Sequence, residues 1–191
     1  MKTIDELVGE VAKNLGAGRL APKQNAKSHS AKTEKVKAAN RQKISANPEI
    51  SVAERSHIEK INLDAAKEIA KAVEIAAGII GINVVVSVCN EGANLLLLHA
   101  MDDSYIASIK ASQDKAYTAV ALKMPTHIAL KESRGGSLDG FTNGNGILLL
   151  GGGFPLQKGN KIYGGVGVSG GTKEQDMLLA AVAAAYFETR F

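Results

Sequence analysis

The stretch Gly164-Gly-Val-Gly-Val-Ser-Gly-Gly-Thr-Lys-Glu-Gln-Asp176 ends an apolar run, crowds glycines at a junction and opens a helix. Thr172 is placed to cap that helix: its hydroxyl can accept a free N–H of the first turn, and Gln175 three residues later completes a capping box. The helix is therefore expected from Lys173, with its first turn of N–H dipoles facing the glycines. Gly170, Gly171 and Thr172 become candidates for receiving an anion or a ligand carboxylate. The competing reading is structural, in which small residues let the last strand and helix pack closely.

The spacing Gly165-x-Gly167-x-x-Gly170 matches the dinucleotide fingerprint literally, but its surroundings do not. That fingerprint needs a second strand closed by an acidic residue. Here Glu188 stands near the end of the expected helix, and the sequence reaches Phe191 with no further strand. No Gly-Lys-Ser/Thr follows the glycines, so a P-loop is excluded as well.

Composition narrows the classes further. At 191 residues and 45% hydrophobic, the chain can build one sizeable core plus an extension. Aromatics make up only 4%, with no Trp, which leaves few platforms for stacking nucleic-acid bases. Residues 1–50 carry ten Lys and Arg against five Asp and Glu, whereas residues 51–191 carry thirteen against fourteen. The net charge of +4 thus belongs to the extension, and no nucleic-acid partner is expected for the rest. The lone Cys89 excludes an internal disulfide. No run of eighteen apolar residues and no signal-peptide core occur, so a soluble protein without a membrane partner is expected.

Thr3-Ile-Asp-Glu6 reads as a second capping box, followed by Ile4, Leu7, Val8, Val11 and Leu15 at helical spacing. Residues 1–16 are therefore expected to form a short amphipathic helix. Alone in water such a helix is marginal, so its stripe needs a partner surface. Residues 17–50, rich in Lys, Ala, Ser and Asn, read as a disordered basic linker. The helix and linker together resemble the encapsulation peptides that direct cargo into bacterial microcompartments. Asp5, Glu6 and Glu10 make the polar face acidic, which favours a protein partner over a membrane. The alternative is docking on its own domain or on a neighbouring subunit.

Residues 51–191 read as the globular domain. A short helix is expected near Ser51, a longer one capped by Asn62, and a hairpin from residues 82–90 and 93–99. Asp102, Asp103 or Ser104 is expected to cap the next helix, which ends before Pro125; a helical turn over residues 126–131 follows. Residues 133–146 form a glycine-rich loop, residues 147–150 a strand, and residues 154–157 and 162–169 a second hairpin. The terminal helix is almost wholly apolar from Met177 to Phe187, and oligomerisation is the expected way of covering it.

This order resembles the GlcG/HbpS family, which includes the C-terminal domain of PduO proteins. The matching residues are Leu63-Asp-Ala-Ala66, Val86 to Gly92, Met101-Asp102 with Ser108, Lys115-Ala-Tyr-Thr-Ala119, Pro125-Thr126, Gly151-Gly-Gly-Phe-Pro155, and Gly165 to Thr172 with Glu174-Gln-Asp176. The resemblance implies an α/β (α+β), profilin-like fold with α/β/α layers around a central antiparallel sheet. It also implies a homo-oligomer, an octamer in many members, and binding of haem or a corrinoid such as cobalamin.

Haem iron needs an axial donor, and the porphyrin needs an apolar slot with cations for its propionates. His99 and His57 are the foremost donors, with His127, Cys89, Met101 and Tyr117 behind them. Lys115, Lys123 and Arg134 are the candidate propionate partners. No Cys-x-x-Cys-His is present, so covalent haem attachment is excluded. The competing class is an enzyme in which Glu174 and Asp176, with Asp102, hold a divalent cation or supply a base. A third is an oligomeric scaffold that presents the N-terminal helix. The expectation carried forward is a tetrapyrrole-binding accessory protein in the bacterial cytoplasm. Its expected place is the lumen of a microcompartment for diol, glycerol or ethanolamine-type metabolism, reached by contact of residues 1–16 with a shell protein.

Overall fold

In a computed structural model, which describes residues 3–15 and 58–191, side chains of the central strands alternate between two faces. The elements run α1 (Ile4–Asn14), α2 (Leu63–Ile80), β1 (Val85–Asn90), β2 (Leu95–Ala100), α3 (Ile106–Ala121), α4 (Thr126–Glu132), β3 (Gly153–Lys158), β4 (Lys161–Ser169) and α5 (Lys173–Arg190). The strands form one antiparallel sheet in the order β2-β1-β4-β3. Val86 and Val88 of β1, with Val166 and Val168 of β4, join the core made with α2 and α5. Ser87 and Cys89 point the other way, toward Ser112, Ala116 and Val120 of α3. The result is the expected α/β/α layering.

The glycines explain how α3 lies so close to the sheet. A Cβ on Gly167 would run into the Ser112 carbonyl oxygen, and one on Gly165 would stand 2.7 Å from that of Ala116. Gly165 and Gly167, two members of the apparent fingerprint, therefore serve backbone-on-backbone packing rather than a nucleotide.

Local capping follows the sequence. Asn62 Oδ1 accepts from the Ala65 N–H at 2.9 Å, and both capping boxes close reciprocally at Thr3/Glu6 and Thr172/Gln175. Two expectations fail. α3 begins after Tyr105, which makes no side-chain cap, because Asp102, Asp103 and Ser104 lie in a tight turn closed by Ser104 N–H on the Met101 carbonyl. Residues 147–150 form no strand: apart from one isolated bridge at Ile147 and a tight Leu150 N–H to Leu148 carbonyl bond, their backbone is held by side chains. The Leu148 N–H donates to Thr118 Oγ1 at 2.8 Å and the Leu149 N–H to Asn143 Oδ1 at 2.7 Å. The helix expected near Ser51, the linker over residues 17–50 and His57 lie outside the described residues.

The terminal helix needs no second chain to cover it. α5 is enclosed by the sheet, α2 and α1, whose Leu7, Val8 and Val11 are buried in the same core. The N-terminal stripe thus docks on its own domain, and the apolar terminal helix ceases to be an argument for oligomerisation.

Candidate functional site

Lys115 sits on the inner face of α3 with no exposed surface. Its Nζ donates to Asp176 Oδ2 at 2.7 Å and to the Val168 carbonyl at 2.9 Å. Asp176 in turn accepts the Gly171 N–H at 2.9 Å. Burial is the largest influence on both partners: it lowers the Lys115 pKa and raises that of Asp176, while their mutual attraction works against each shift. Lys115 is therefore a buried counter-ion and not available to a propionate. The anion seat at the start of α5 is filled by the chain's own Asp176, and the N–H groups of Gly171, Thr172 and Gln175 all have internal partners.

The metal-ligand expectation fares similarly. Glu174 and Asp102 are exposed while Asp176 is sealed beneath Gly152. Among the described residues no three His, Cys, Asp or Glu side chains gather as a metal site. The rest of the α3–sheet interface is equally self-satisfied. Ser87 and Ser112 hydroxyls meet at 2.8 Å, and Thr126 Oγ1 donates to the Leu150 carbonyl while accepting the Gly153 N–H. Burial pushes the Cys89 thiol up to about 11, far from a reactive thiolate.

Accessible chemistry lies on the opposite layer. His99 is on the edge strand β2, its side chain 44% exposed, with Nδ1 2.8 Å from Glu74 Oε1 on α2. A carboxylate can only accept, so Nδ1 carries a proton, and in the neutral ring the lone pair is then on Nε2. The second Glu74 oxygen faces Lys71 Nζ at 3.5 Å. Residue patterns missed Glu74, which lies 25 positions from its partner in a helix that reads as apolar core. Its one sequence signal was a lone charge within the apolar stretch Ala72-Val-Glu-Ile-Ala76.

His127 behaves differently. Its Nδ1 is buried without a partner, and its ring lies against Phe154 with centroids 5.5 Å apart. Burial lowers its pKa, and the charge of Lys173 adds to the effect. A proton on Nδ1 would be stranded, so the neutral ring holds it on Nε2 and offers a donor there rather than a lone pair. Arg134 is exposed just past α4. Lys123 lines a separate hollow of about 440 Å³ with Glu91, Val120, Asn160, Lys161 and Ile162. An apolar stripe of Tyr105, Ile106, Ile109 and Tyr117 remains on the outer surface of α3, Ile106 being 87% exposed. Among the described residues no helix is long and apolar enough to cross a membrane.

Comparison with known proteins fits this geometry. The family described as "Haem degrading protein HbpS-like" matches residues 61–185. An uncharacterised 15.0 kDa protein from the dhaT-dhaS intergenic region of Citrobacter freundii is 47% identical over 129 residues, covering 66% of this chain and 91% of that protein. The corrinoid adenosyltransferase PduO of the same organism is 30% identical over 127 residues, which are 64% of this chain but only 38% of the enzyme. A solved PduOC–haem complex superposes with a TM-score of 0.62 at 29% identity, covering 66% of this chain and 94% of that one.

Proposed function

Because this chain belongs to the HbpS-like family, we propose that it is a tetrapyrrole-binding accessory protein that takes haem through His99. The observation that carries the reading is the 2.8 Å contact between His99 Nδ1 and Glu74. It fixes the ring and the tautomer that ligation requires, on an edge strand open to a flat ligand. Leu97 and Leu95 lie two and four residues before His99 on the same strand; Leu97 is buried in the core and Leu95 is 49% exposed, so an apolar side chain is open on the strand that carries the donor. His99 supplies the nitrogen, Glu74 holds its proton on the far side of the ring, and Lys71, exposed beside Glu74, is the cation open to a carboxylate there. Arg134, by contrast, follows α4 by the opposite edge of the sheet. Bound haem would supply an iron centre for ligand exchange or one-electron chemistry. The haem complex of a relative supports this ligand directly, and the match to PduO makes a corrinoid the alternative.

The decisive experiment is an absorbance titration with haemin and, separately, with aquocobalamin. One saturable, shifted band with haemin that is altered in His99→Ala supports the reading. Saturation with aquocobalamin alone transfers it to the corrinoid, and saturation with neither refutes it.

The same proposal places the protein as microcompartment cargo, with residues 1–16 engaging a shell protein, and as a homo-oligomer joined through the α3 stripe. The acidic, well-capped α1 supports the first part and the exposure of Tyr105, Ile106 and Ile109 the second. Removing residues 1–16 should abolish co-purification with shells. Sedimentation should report an octamer that Ile106→Asp disperses.

A further inference from the structure

We infer that Glu74 is the positioning residue that makes His99 a ligand. The haem part of this inference rests on the reading above; the tautomer part stands without it. A free neutral histidine side chain prefers its proton on Nε2, the ring nitrogen not in contact with Glu74 here, and in that form Nε2 has no lone pair to offer. Glu74 reverses the preference. Its Oε1 lies 2.8 Å from Nδ1, and its Oε2 is steadied by Lys71 at 3.5 Å, so the carboxylate is held from both sides. α2 carries the acceptor and β2 the ring, two elements fixed by one core, so their relation does not depend on a loop. The contact lies at the surface, Glu74 22% exposed and His99 44%, so the histidine is the more open of the two partners.

The charge has a second consequence. A carboxylate on Nδ1–H raises electron density at Nε2, strengthening its bond to a ferric more than to a ferrous centre. With haem bound through His99, Glu74 would favour retention of the ferric form and lower the reduction potential. Lys71, drawing on the other carboxylate oxygen, moderates the effect.

Two readouts test this. In the ligand-free protein, nitrogen NMR of the neutral His99 ring should show the proton on Nδ1, and in Glu74→Ala it should move to Nε2. An Nε2–H ring in the unaltered protein, or no change in Glu74→Ala, overturns the inference. In the haem-loaded protein, Glu74→Ala should release ferric haem about tenfold faster and raise the midpoint potential, the lower end expected for loss of a group behind a metal ligand. Glu74→Gln should fall between, because its amide oxygen still accepts from Nδ1 without the charge. Unchanged potential and release in Glu74→Gln and Glu74→Ala overturn the role of Glu74 alone. If His99→Ala leaves the haem spectrum intact, the ligand reading fails while the tautomer experiment still decides whether Glu74 sets the ring.

Discussion

Replacing Asp176 by Ala would leave Lys115 charged, fully buried and without its counter-ion, only the Val168 carbonyl remaining within reach. Breaking a buried pair from one side costs about 3–5 kcal/mol. For a chain of this length, 1 kcal/mol moves the melting temperature by about 2–4 °C, so a fall of roughly 10 °C is expected. The directions of the two pKa shifts add a second requirement. A raised Asp176 value gives stability that is present below its unfolded pKa and lost as pH rises through the folded one. A lowered Lys115 value gives stability that is present above its unfolded pKa and lost as pH falls through the folded one. Between the folded pKa of Asp176 and that of Lys115, where both groups are charged, neither contribution is present, so charging the pair opposes folding. Lys115→Met together with Asp176→Asn should therefore recover most of the loss seen in Asp176→Ala, the Asn oxygen still accepting from Gly171. Urea denaturation of the two variants and the parent measures this. An Asp176→Ala cost below about 1 kcal/mol, or a double variant as unstable as Asp176→Ala, would refute the account.

His127 is held neutral, its pKa lowered from 6.5, so its contribution to stability is present above 6.5 and fades as pH falls through the lower folded value. His127→Phe should flatten the loss of stability below pH 6.5, seen as urea midpoints that converge less on acidification. Gly167→Ala forces a methyl into the Ser112 carbonyl and should cost about 1–3 kcal/mol or more by thermal melting. Gly9→Ala, with open space around it in the middle of α1, should instead stabilise that helix by about 1 kcal/mol, read as slower amide exchange over residues 4–14.

Features written in neighbouring residues were legible. Thr3 with Glu6, Asn62 with Ala65, and Thr172 with Gln175 each lie three positions apart, and the structure closes every one. The hairpins were legible too, since alternation and turn residues are local signals. What failed was carried by distant partners. Residues 147–150 have the composition of a strand, yet Thr118 and Asn143 supply the bonds a neighbouring strand would have made. Lys115 read as a candidate propionate partner because nothing nearby announces Asp176, 61 positions away. The same blindness hid Glu74 and left His99 one histidine among several, although the pair sets it apart from His127, whose buried nitrogen has no acceptor.

The docking of α1 bears on how a partner would be recruited. Leu7, Val8 and Val11 are its buried residues, and they are the stripe that any helix-binding groove would have to receive. One face cannot occupy two surfaces, so capture by a shell protein requires that α1 first leave α2 and α5. Its apparent affinity is then reduced by the fraction of time the helix is docked. Eleven residues must be ordered to bury three side chains, which keeps the net docking energy small. Val8→Asp separates the two states: it should raise amide exchange across α1 by undocking the helix, yet weaken rather than strengthen co-fractionation with shells, because the same side chain serves both contacts. A gain in shell association with Val8→Asp would mean that the partner reads the acidic face of α1 and not its stripe.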